Sequence, residues 1–232
     1  MSKNISAVKN PVIEHIESYS SIYFFVMTLF LMGVVFGAVV VNSLSFTQKE
    51  DLYFYLGQFF EQVSNDNVAS SSELFKQSFF HNIKYVGFIW ILGISIIGLP
   101  LIFVLLFMKG MVVGFSVGFL VNRMGWEGFL LSFVSVLPQN LIIIPVFIFI
   151  AVLSVGTSLQ LIRKIFMKSV SNSHMTPIFT RYIAAFIMAV VVLSLAAAVE
   201  AYLSPSLMKY IINTLQLLIN NIYHFQFVII LF

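Results

Sequence analysis

The chain has 232 residues, of which 60% are hydrophobic and only 9% charged, with a formal net charge of +3. Soluble domains carry roughly 25% charged residues, so a mean hydropathy of +1.01 excludes a compact globule in water and calls for lipid as part of the solvent. The weak basic excess gives no reason to expect a nucleic-acid partner, and the lack of cysteine excludes disulfides and thiolate metal sites.

Residues 1–20 are a polar segment carrying Lys3, Lys9, Glu14 and Glu17. The first apolar run, 21–44, is long enough to cross a bilayer, which takes roughly 20 residues. It is read as a retained span, because its apolar core exceeds a signal h-region of roughly 7–15 residues and ends without a small-residue cleavage site.

Residues 45–82 are the only sizeable polar insertion between spans. Thr47 and Glu50 fit a capping box, and Ser70 with Glu73 fits a second. Tyr55, Phe59 and Phe60 fall on an apolar helical face after the first box. The insertion reads as two short amphipathic helices on the membrane surface or against a partner.

Four further spans are expected at about 85–107, 110–122, 128–159 and 182–203, with a tight turn at Lys109-Gly110. Pro100 falls inside the second span, and Ser204-Pro205 stops the last. The clean apolar run of the third span is only about 18 Å long at 1.5 Å per residue, so it must borrow flanking residues or thin the bilayer. Residues 204–232 form an amphipathic tail, read as interfacial, with a sixth span as the alternative. The expected fold is an all-α polytopic transmembrane bundle of about five spans plus short interfacial helices.

Arg163, Lys164, Lys168 and Arg181 crowd one connection, 160–181. The positive-inside rule places this loop, and with it the N-terminus, in the cytoplasm. Lys109 is placed on the same side and the 45–82 insertion outside.

Gly110, Gly114 and Gly118 recur every four residues on one helix face, as do Gly33 and Gly37. Small residues allow close helix packing where the hydrophobic effect supplies no drive between helices. Gly114-Phe115-Ser116-Val117-Gly118 matches the G-x-S-x-G nucleophile elbow, but no base accompanies it in a sheet pattern, so Ser116 is read as a packing residue. Pro138, Gln139, Asn140 and Pro145 form an intramembrane kink with an amide pair, a pattern that lines sites in transporters but more often is a kink satisfied by neighbouring helices. Arg123, Glu127 and Glu200 are read as interfacial charges: Arg123 and Glu127 as an i, i+4 pair, Glu200 snorkelling to water.

These residues resemble the stage II sporulation protein M family. The run Phe30 to Leu44 (FLMGVVFGAVVVNSL) is similar to the family's first span, as is Lys109 to Phe115 (KGMVVGF). The stretch Gly125-Trp126-Glu127-Gly128-Phe129-Leu130, with Leu137-Pro138-Gln139-Asn140 and Pro145, resembles the endospore-former branch. Other members often carry Pro-His-Gly followed by Glu at the latter position. Here that ionisable pair is absent, so the chemistry of those relatives is not carried over.

The resemblance implies a non-enzymatic scaffold in the septal and engulfing membrane of a sporulating cell. Its expected partners are membrane lipid and peptidoglycan hydrolases resembling stage II sporulation proteins D and P, with room for a homo-oligomer and no cofactor. Tyr55, Phe59 and Phe60 are the candidate partner face. The alternative is a small transport protein or exporter permease subunit, with a polar cavity around Gln139 and Asn140.

Overall fold

The computed structural model describes residues 16–64, 70–166 and 175–210. The described residues are almost entirely helical. They form α1 (Ser20–Ser43), α2 (Phe46–Ser64), α3 (Ser71–Leu92), α4 (Gly98–Ser135), α5 (Leu137–Phe166) and α6 (Met175–Ala198). A π-helical turn, Val199–Leu203, follows α6, and helix continues to Tyr210. This is the expected all-α bundle. By length and composition, four segments among the described residues can cross a membrane: Ser20–Ser43, Gly98–Ser135, Leu137–Arg163 and Phe179–Tyr210.

The side-chain contacts give the direction of each pass. Along α1 and α4, Phe25 meets Phe103 at a centroid distance of 5.1 Å, Phe36 meets Phe107 at 5.7 Å, and Asn122 donates to Asn42 at 3.0 Å, so these two helices run parallel. Helix α3 runs antiparallel to α6, with Ser78 at Glu200 and Trp90 at Tyr182. Helix α5 also opposes α6, with Gln139 at Ser204 and Ser154 at Tyr182. The chain therefore passes up α1, down α3, up α4, down α5 and up α6. One end of the bundle carries Tyr19, the other Glu200.

Helix α3 makes its pass although its first half is polar. It lies alongside α6 from Ser78 to Trp90, which buries Ser78 and Asn82 and leaves Lys76, Gln77, His81 and Lys84 exposed. A second span at 85–107 does not form, since that run is divided by the break at Gly93–Ile97. Pro100 sits in the first turn of α4, where its missing N–H costs nothing.

Lys109-Gly110 is not a turn. Helix α4 runs through it, and Gly110 is there because α1 comes so close: a Cβ would strike the Phe30 carbonyl. The third span is thus not short. Its reversal comes at Gly125, whose φ of +59° and ψ of −128° suit glycine alone. After Gly125 the chain folds back, and Gly128 packs on the Leu120 carbonyl. The next pass starts at Leu137 rather than 128.

Two caps and one stop also differ from the reading by sequence. The first capping box is Ser45 with Gln48, bonded reciprocally at 3.0 and 3.3 Å, rather than Thr47 with Glu50. The Ser70–Glu73 box is present. Pro205 does not end the last pass, because the π turn before it re-routes the backbone bonding and Ser204 N–H reaches the Val199 carbonyl. Of the tail, residues 211–232 lie outside the described residues.

The core sits where the passes cross. Val26, Val86, Ile89, Ile102, Leu106, Phe147 and Leu193 are buried there, drawn from α1, α3, α4, α5 and α6. A smaller cluster of Leu120, Leu131 and Met208 at the Glu200 end seats Leu56 of α2.

Candidate functional site

On α3, Ser78, His81 and Asn82 are three and four residues apart and share a face. This face meets Gln139 in the first turn of α5, Glu200 in the π turn, and Ser204 beyond it. Together they line a cavity of about 520 Å³ at the Glu200 end. Leu56, Leu74, Leu120, Val136 and Met208 supply its apolar wall.

The polar atoms are held by specific bonds. The Ser78 hydroxyl donates to a Glu200 carboxylate oxygen. The Asn82 amide nitrogen donates to the Ser78 carbonyl at 3.0 Å, which fixes its orientation, and its Oδ1 is left buried without a partner among the described residues. Gln139 donates to the Ser135 carbonyl at 2.6 Å and accepts from Ser204 at 3.3 Å. Asn140 donates to the Val136 carbonyl at 2.7 Å, closing on its own turn, and does not line the cavity. Pro138 is the second residue of α5 and starts the helix, whereas Pro145 lies inside it.

Lys109 lies inside α4, eleven residues past Gly98, or roughly 16 Å of helix. It is therefore an intramembrane cation rather than a residue of a cytoplasmic turn. Its ammonium stands over the rings of Phe147 and Tyr85, at 5.1 and 5.8 Å from their centroids. Such placement offsets part of the cost of burying charge. Glu200 and His81 are within its electrostatic reach. Glu200 does not simply snorkel to water. It is half-buried and bonded across to α3.

The remaining candidates fall elsewhere. Gly33 and Gly37 face Phe107, Met111 and Phe115, while Gly110, Gly114 and Gly118 face Phe30, Val34 and Ala38. At each of these glycines an added Cβ would meet the other helix's backbone. The Ser116 hydroxyl donates to the Val112 carbonyl of its own helix at 2.9 Å. Arg123 pairs with Glu50 at 3.3 Å and stacks 4.2 Å over Tyr53. Its expected partner Glu127 lies beyond the Gly125 reversal, which breaks the i, i+4 spacing. Tyr55 is 67% exposed. Arg163 and Arg181 are exposed. Lys168 and the side chains of Phe59, Phe60 and Lys164 lie outside the described residues.

Sequence reading missed Ser78, Asn82, Lys109 and Ser204. Ser78, His81 and Asn82 fall in the 45–82 insertion, whose polarity points in sequence to amphipathic helices on the membrane surface or against a partner. Among the described residues no group of three His, Asp or Glu side chains could hold a metal ion.

No curated protein and no solved structure matches the chain. A family model described as Stage II sporulation protein M matches residues 26–205. The match begins within α1 and ends at Pro205, so it takes in the glycine-packed helix pair, the remaining passes and most of the polar cavity, and the chain belongs to the stage II sporulation protein M family.

Proposed function

We propose that this sporulation membrane protein is a non-enzymatic scaffold that anchors peptidoglycan hydrolases at the septal and engulfing membrane. Family membership supports the sporulation setting. The carrying observation is the placement of α2. Leu56 seats this helix on the Leu120 cluster and Arg123 pins it through Glu50 and Tyr53, while Phe54 and Tyr55 are 64% and 67% exposed. A pinned helix with an open aromatic face suits partner capture.

The basic residues Arg163 and Arg181 support a cytoplasmic Tyr19 end. The aromatic face then lies outside, where wall hydrolases act, and proteins resembling stage II sporulation proteins D and P are its proposed partners. Co-purification from sporulating cells tests this reading. The full chain should retain both hydrolases, and a chain lacking 46–64 should lose them.

The cavity favours transport as a second reading, since Gln139 and Glu200 line it and Lys109 stands near. Glu200→Gln separates the two: it should spare hydrolase capture in a scaffold and disable a transporter.

A further inference from the structure

The residues lining the cavity at the Glu200 end carry several hydrogen-bond acceptors, one of which, Asn82 Oδ1, has no donor among the described residues. Asn82 is 4% exposed, and its nitrogen is committed to the Ser78 carbonyl, so the partnerless atom is Oδ1, an acceptor. A buried amide oxygen without a partner is costly unless a guest donates to it. The Glu200 carboxylate and Gln139 Oε1 add acceptors from two other elements. Three acceptors on three elements suit a primary ammonium, which has three N–H donors.

Charge and depth narrow the guest. Lys109 lies within electrostatic reach of Glu200, so a zwitterion matches the site better than a net cation. Gln77 and His81 also line the cavity, and Lys84 lies within electrostatic reach of His81. These groups can donate to, or attract, a phosphate. Eighteen residues separate Tyr182 from Glu200, roughly 27 Å of helix. A hydrocarbon core is roughly 30 Å thick, so the cavity lies near the depth of lipid headgroups. Leu74, Leu120 and Met208 provide an apolar wall for the carbons that follow the head.

We propose that this cavity binds an aminophospholipid headgroup, its primary ammonium on Asn82, Glu200 and Gln139 and its phosphate toward Gln77 and His81. The assignment does not depend on the scaffold reading.

Phosphatidylethanolamine and phosphatidylcholine provide the test. They share phosphate and charge, but the choline nitrogen has no N–H to donate. The full chain is placed in nanodiscs containing both lipids, and native mass spectrometry counts the lipid retained. Phosphatidylethanolamine should be retained over phosphatidylcholine by roughly tenfold, the scale of a charge-assisted hydrogen bond. Glu200→Gln and Asn82→Leu should each remove most of that preference. Should Asn82→Leu fail to accumulate, the near-isosteric Glu200→Gln decides alone. Equal retention of the two lipids, or a preference that survives Glu200→Gln, overturns the proposal. Displacement by soluble phosphoethanolamine at matched concentration would overturn the assignment to lipid.

Discussion

The Gln160 side-chain amide donates to the Tyr19 hydroxyl at 2.8 Å, which ties the end of α5 to the start of α1. Both ends therefore lie on one side of the bundle, with an even number of passes between them. Ser158 extends this junction by donating to the Gly93 carbonyl at 2.7 Å, so the α3–α4 turn lies on that side too.

Thiol labelling should report this arrangement, because the chain has no native cysteine. Ile97, 79% exposed in the turn, should react as cysteine with a water-soluble maleimide from the Tyr19 side. Met108, mid-helix in α4, should resist as cysteine. The opposite pattern would restore a turn at Lys109-Gly110.

Two glycine substitutions should move stability in opposite directions. A Cβ at Gly114 would strike the Val34 backbone, whereas one at Gly57 meets nothing within 4 Å. Gly114→Ala should cost about 1–3 kcal/mol through overpacking. Gly57→Ala, inside α2, should gain roughly 0.5–1 kcal/mol from helix propensity. Thermal unfolding in detergent checks both, and equal midpoints would contradict the close α1–α4 packing.

The glycine stripes were legible because their period of four needs only helix geometry to place them on one face. The second and third spans were harder. A lysine-glycine pair looks like a turn in sequence, and the approach of α1 that requires Gly110 is invisible there. Helix α3 was hidden for a related reason. Its buried Ser78 finds its partner in Glu200, more than a hundred residues away. The Arg123 pairing failed because the Gly125 reversal cannot be foreseen from spacing alone.

The Arg123–Glu50 pair should contribute little. Its side chains are 44% and 43% exposed, and exposed pairs are worth roughly 0–1 kcal/mol. A double-mutant cycle should find that small coupling between Arg123 and Glu50 and none between Arg123 and Glu127. Coupling to Glu127 instead would contradict the reversal at Gly125.

Ser116→Ala should leave sporulation and protein level unchanged, since the hydroxyl only bonds the preceding turn of its own helix. Spore counts and immunoblotting check this. A stable Ser116→Ala protein that blocked sporulation would argue for chemistry at that serine.

The scaffold itself is tested most directly at the open face of α2. Phe54→Glu with Tyr55→Glu places charge there without touching Leu56 or the Arg123–Glu50 pin. The measurement is the amount of each peptidoglycan hydrolase that co-purifies per molecule of anchor. The double variant should insert and accumulate normally while capture of both hydrolases falls roughly tenfold or more, as expected for losing central aromatic anchors. Normal accumulation with both hydrolases still captured at the wild-type level would contradict α2 as the docking element.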